Sequence, residues 1–228
     1  SRRFEFLGGS WTFGKTIRVG TGTSAPRDGN TVVYSNVVVT CPNPEVYGSN
    51  NKLVFTGGAT LNVDSAVAFP FDGGYSGNEF LVSDKATFES QYAGSSPSFA
   101  LNGSRNSLTV SDGTVTLGKN LVFNDGSSFA KVVVQDGGSL SAKAIMLNGT
   151  DGELSVLNGT LTCTSYSITL AGERNTMRLQ GKDTVVSVKS MDTAGISMSS
   201  VPARFMMSSA KPSSTALVAS IHVSASMR

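Results

Sequence analysis

Charge is scarce in this chain of 228 residues: Asp, Glu, Lys and Arg make up 15% of it, against about 25% in an ordinary soluble domain. The net charge is only +2 and no basic stripe crosses the central sequence, so no nucleic-acid partner is expected. A single histidine, His222, leaves nothing from which to build a multi-histidine metal centre, and a histidine-dependent triad has one residue to use. No apolar run reaches about 18 residues, so the chain is not expected to insert in a membrane. Arg2 and Arg3 lead into Gly8 and Gly9 without the apolar stretch of a signal peptide. The sequence begins with Ser1 and stops at Arg228 just after an apolar alternating run, so the expectation is a piece of a longer polypeptide. Helical spacing of apolar residues is also missing.

What is present is a repeat. Leu108-x-Val110-x-Asp112 runs through Gly113 and Thr114 into Val115-x-Leu117, and Leu154-x-Val156-x-Asn158 runs through Gly159 and Thr160 into Leu161-x-Cys163. Between them, Val132-x-Val134-x-Asp136 passes through Gly137, Gly138 and Ser139 to Leu140, one residue longer in the turn. Each copy closes with a third alternating run, Leu121-x-Phe123, Ile145-x-Leu147 or Ile168-x-Leu170. Alternation of period two bounded by Asn-Gly or Asp-Gly is the pattern of short strands with one buried face. Asn, Asp and Gly tolerate the left-handed backbone of a tight corner.

The second apolar residue of each first strand gives the column Tyr34, Phe55, Val82, Val110, Val134, Val156 and Leu179, at intervals of 21, 27, 28, 24, 22 and 23 residues. Three strands per interval, all of one polarity, predict a right-handed single-stranded parallel β-helix. Roughly eight coils would make a rod about 35 to 40 Å long. One domain is expected: residues 1–30 as an N-terminal coil or cap, 31–200 as regular coils, and 201–228 as an irregular, truncated last coil. Within the first piece Phe13 stands one coil length before Tyr34. Insertions around Tyr75 and from Gln91 to Pro97 are expected to protrude from one side of the rod.

The two cysteines fall at the same inward position, matching Leu117, but five coils apart. That separation, about 24 Å, is beyond the reach of a disulfide, so both are expected as free, buried thiols. Gly57, Asp84, Asp112, Asp136 and Asn158 fall in one corner column. Their first role is to cap turns, although stacked carboxylates Asp84, Asp112 and Asp136 can hold calcium through oxygen ligands. No cofactor is otherwise implied. Asn102, Asn124 and Asn148 form a second column that can hydrogen-bond along the rod. Asp151, Glu153, Glu173 and Arg174 gather near corners without a defined carboxylate pair, which points away from glycoside chemistry. Tyr75 and Tyr92, in the inserted loops, are the ligand-binding candidates: an exposed ring can stack on a sugar.

The repeats Leu108 to Gly126, Val132 to Gly149 and Leu154 to Gly172 resemble those of bacterial surface β-helices, in particular autotransporter passenger and adhesin-like domains of the pectin-lyase-like fold. The resemblance implies a non-enzymatic, secreted or cell-surface segment that serves as an adhesin or passenger stalk and binds glycan or host-surface protein. Two alternatives share the fold, a carbohydrate-active β-helix and a phage tailspike-like segment. The Asn-Thr-Asp, Gly-His-Gly and Arg-Ile-Lys motifs of polygalacturonase-like enzymes do not occur.

Overall fold

The computed structural model describes residues 1–20, 28–63, 67–68, 75–94, 96–165, 167–188, 190–193 and 204–207. Within them the chain is a parallel β-helix. Three sheets of eight, nine and eight strands run the length of the rod, and within each sheet neighbouring strands come from successive turns of the chain. We call them sheet A (Arg3–Leu7 to Thr176–Gln180), sheet B (Ser10–Thr12 to Arg204–Met207) and sheet C (Ile17–Val19 to Ser190–Thr193). One strand of each makes a rung; the described residues hold eight complete rungs and one further strand of sheet B, Arg204–Met207.

The inward column of sheet A follows the expected register, with Tyr34 opposite Phe55, then Val82, Val110, Val134, Val156 and Leu179. The N-terminal piece is a full rung whose strands all pair onward. It enters the column at Phe6, opposite Tyr34, and not at Phe13. The reason is spacing: Phe6 precedes Tyr34 by 28 residues, because the connection into the second rung is longer than a standard corner. Rings then stack along the core: Phe6 on Tyr34 at 4.8 Å, Tyr34 on Phe55 at 5.0 Å, and Phe55 on Phe80 at 5.7 Å. From the fifth rung the inward positions of sheet A are aliphatic, Leu108, Val110, Val132, Val134, Leu154 and Val156, all fully buried.

Cys41 and Cys163 form no disulfide and are buried in the same column of sheet B, which runs through Val63, Ser90, Leu117 and Ala142 between them. Burial pushes the Cys163 thiol from an ordinary 9.0 up to about 12, and burial first, then the nearby Cys41, pushes the Tyr34 phenol from 10.0 to about 12. Between pH 9 and 12 the unfolded chain therefore holds fewer protons than the folded one, and stability falls as pH rises. The Cys163 share is on the order of 4 kcal/mol by the top of that window. Urea midpoints measured across it should drop, and Cys163→Ala, which matches Ala142 in the preceding rung, should shallow the slope. A slope unchanged by that substitution would assign the loss to other groups.

Candidate functional site

The corner from sheet A to sheet B is a column of left-handed residues: Gly8, Asn36, Gly57, Asp84, Asp112, Asp136, Asn158 and Gly181 all have positive φ, from 49° to 105°. Only Gly, Asn and Asp visit that region at low cost, which accounts for the residue types. Each of the three carboxylates has its own partner. Thr56 Oγ1 donates to Asp84 Oδ2 at 2.8 Å, Ser111 Oγ donates to Asp136 Oδ2 at 3.1 Å, and Lys85 Nζ pairs with Asp112 Oδ1. Among the described residues no group of three or more His, Cys, Asp or Glu side chains is placed to hold a metal ion. The column's left-handed backbone is that of a tight turn, and these three bonds join side chains of neighbouring rungs.

The corner from sheet C back to sheet A holds a feature that the periodicity does not show. Asn30, Asn51, Asn78, Asn106 and Asn175 directly precede sheet A strands and are buried. Asn51 Oδ1 accepts the Asn30 N–H at 2.7 Å, Asn78 Oδ1 accepts the Asn51 N–H at 2.9 Å, and Asn106 Oδ1 accepts the Asn78 N–H at 2.8 Å. Their amide groups donate to carbonyls of the same corner, Asn78 Nδ2 to Gly48 O at 2.9 Å and Asn175 Nδ2 to Leu147 O at 2.9 Å. Ala130 and Gly152 interrupt the ladder. In the rung of Ala130, Ser127 Oγ serves the Asn124 carbonyl instead, at 2.7 Å. The column of Asn102, Asn124 and Asn148 is in register, and Asn124 Nδ2 donates to Asn102 Oδ1.

The two insertions border the same sheet at its two edges. Tyr75 lies between the sheet C strand Val67–Ala68 and the sheet A strand Glu79–Ser83, whereas Tyr92 lies between Thr87–Ser90 of sheet B and Phe99–Leu101 of sheet C. Tyr92 is half-buried and folds back on its own loop, where the Ser96 N–H donates to its hydroxyl at 3.3 Å. Hydrogen bonding by the Ser96 side chain, then its backbone, holds the Tyr92 phenol below the usual tyrosine range.

Tyr75, also half-buried, meets Tyr47 edge to face with ring centroids 6.4 Å apart. Around Tyr47 the chain assembles a polar cluster. Tyr47 donates its hydroxyl to Glu45 Oε2 at 2.8 Å, Arg18 Nε donates to the same oxygen at 3.0 Å, and Asn43 Nδ2 donates to Glu45 Oε1 at 3.2 Å. The Arg18 guanidinium lies 5.5 Å from the Tyr47 ring centre. Asn43 Oδ1 is buried and, among the described residues, has no hydrogen-bond partner. Arg18, Asn43, Glu45 and Tyr47 are not found by scanning for motifs. Their signal is register: Arg18 stands opposite Glu45 as the outward residue between buried neighbours on Ile17–Val19 and Pro44–Val46.

Of the remaining charged candidates, Arg174 grips Asp151 through two bonds of 2.7 Å and reaches Glu173 at 3.3 Å. The Arg174 hydrogen bonds hold the Asp151 carboxyl below the usual range. Glu153 faces outward on sheet A and pairs with Lys131 at 3.0 Å. A cavity of about 440 Å³ at the N-terminal end opens onto the core between Phe6, Phe13, Ile17 and Tyr34. His222 lies outside the described residues. No helix among those described is long and apolar enough to cross a membrane. Comparison with protein-family models, with curated proteins and with solved structures finds no match to this chain.

Proposed function

We propose that this chain is a non-enzymatic β-helical segment of a secreted or cell-surface polypeptide, an adhesin or passenger stalk that binds glycan at the Tyr47–Tyr75 corner. The observation that carries the reading is the cluster itself. Two tyrosine rings at an angle offer faces and edges for a sugar ring. Glu45, Arg18 and Asn43 supply an acceptor, a donor and a buried carbonyl oxygen without a donor among the described residues, the mixture that fixes hydroxyl orientation in a binding site. The register of the rod holds these groups without a mobile support. Tyr92 borders the same sheet from its other edge and is the second contact.

Labelled chain applied to an array of neutral and acidic glycans is expected to mark a subset of them. Tyr75→Ala and Tyr47→Ala should each weaken binding by about tenfold or more, as the loss of one aromatic contact and its neighbours would. Glu45→Gln keeps the shape and should weaken it less. Binding that survives both tyrosine substitutions, or an array with no binding, rejects the assignment.

A further inference from the structure

We propose that a ridge formed by Arg105, Phe129, Asp151 and Arg174 joins two copies of this chain, packed antiparallel about a twofold axis at Phe129. The ridge lies on the corner between sheets C and A, one residue before the asparagine ladder. Every rung from the second to the eighth places a left-handed residue there: Gly29, Asn50 and Gly77 in the second to fourth, then Arg105, Phe129, Asp151 and Arg174, with φ between 53° and 57° for the last four. A phenylalanine or arginine in that conformation carries a penalty that glycine avoids. The fold does not require it. Gly29 and Gly77 donate their N–H groups to the next rung at 3.0 Å, and Arg105 and Phe129 make the same bonds at 2.8 and 3.0 Å. Arg105, Phe129 and Arg174, three bulky residues in four successive rungs at a site where glycine serves equally well, point to a use for their side chains.

Arg105, Phe129 and Arg174 are exposed, and Asp151 is half-buried beneath the Arg174 guanidinium. Phe129 is 52% exposed, and the Arg105 guanidinium lies 5.7 Å from the centre of its ring. Among the described residues no carboxylate pairs with Arg105. Arg174 holds Asp151, with Glu173 alongside. The four charges sum to zero (two arginines, Asp151 and Glu173), so a second copy meets no net repulsion. Successive members stand about 4.8 Å apart, which places Arg105 and Asp151 at equal distances on either side of Phe129. A twofold axis there lays ring on ring, sets Arg105 of each copy against Asp151 of the other, and opposes Arg174 to the bare Gly77. Such self-complementarity is what an isologous contact demands, and an aromatic centre flanked by arginine is the composition of interface hot spots. The contact runs along one corner only, which places it among small, reversible interfaces.

Sedimentation of the full chain from about 10 µM to 1 mM should show the mass rising from 23.7 kDa towards twice that value. Phe129→Asp should remain monomeric throughout. Arg105→Glu and Asp151→Arg should each weaken association by about tenfold, and the two combined should restore it. Phe129→Gly should abolish association while raising the melting temperature by about 2 to 4 °C. Four results each overturn the proposal: a wild-type chain that stays monomeric, a dimer that survives Phe129→Asp, a charge swap that fails to restore association, or a Phe129→Gly chain that melts lower.

Discussion

Asn78→Leu is expected to remove about 4 kcal/mol of stability, although it replaces a polar residue in the interior with an apolar one of similar size. Asn78 is fully buried, and its side chain serves two backbone groups, the Asn51 N–H at 2.9 Å and the Gly48 carbonyl at 2.9 Å. Leucine leaves both groups without partners, and each buried orphan costs about 1–3 kcal/mol. The apolar gain offsets little of this, since the Asn78 side chain is already out of water. A loss of that size is a large part of the roughly 5–15 kcal/mol that holds a domain together. The control is Asn62, an outward residue of Thr60–Val63, where Asn62→Ser should change stability by less than about 0.5 kcal/mol. Urea titration followed by the strand signal in circular dichroism measures both. A cost for Asn78→Leu no larger than that of the control would mean that water reaches the corner and satisfies it.

That prediction also marks what the sequence hides. Alternation of period two reports apolar side chains that turn inward, so the sheet A column from Tyr34 to Leu179 and the five-rung separation of Cys41 and Cys163 are legible from spacing alone. Asp84, Asp112, Asp136 and Asn158 are legible as corners because few other residues adopt a left-handed backbone cheaply. A buried amide gives no such signal. Asn51 or Asn106 before a strand looks like a solvated turn residue, and Ala130 and Gly152 break the column before it can be seen as a repeat. Phe13 was open to misplacement because the first connection is longer than a coil corner, and only strand pairing shows that Phe6 is the residue in register.

The candidate site is legible in part. Tyr75 and Tyr92 stand out because insertions interrupt a regular repeat, and loops on a rigid scaffold are where binding residues concentrate. Arg18 and Glu45 do not, since 27 residues separate them and nothing local to either indicates a partner. Knowing that Ile17–Val19 pairs with Pro44–Val46 is enough to bring them together. The same limit applies to Arg105, Phe129 and Asp151. As sequence they are unremarkable turn neighbours, and their interest comes from sharing a left-handed backbone conformation in successive rungs, one that is costly for Arg105 and Phe129.

Phe55→Ala is expected to cost about 4 to 5 kcal/mol and to divide the rod. Phe55 is fully buried between Tyr34, almost parallel at 7°, and Phe80, tilted by 28°. Truncating a buried phenylalanine costs about 3–5 kcal/mol, and loss of each aromatic contact adds about 0.5–1.5 kcal/mol before the neighbours relax. Phe80 continues the cluster into Phe88 and Phe99, each 5.4 Å away, so Phe55 is the ring that couples Phe6 and Tyr34 to the rest of the core. In a solenoid each rung leans mainly on its neighbours, and weakening one interface uncouples the parts on either side. The first two rungs, residues 3–19 and 31–46, should therefore open before the others: their amides should lose hydrogen-exchange protection while those of 107–170 keep theirs. Phe55→Leu retains apolar volume without a ring and should show the same order of opening with about half the loss. Uniform loss of protection along the rod would show that the strand ladders, and not the ring stack, set its cooperativity.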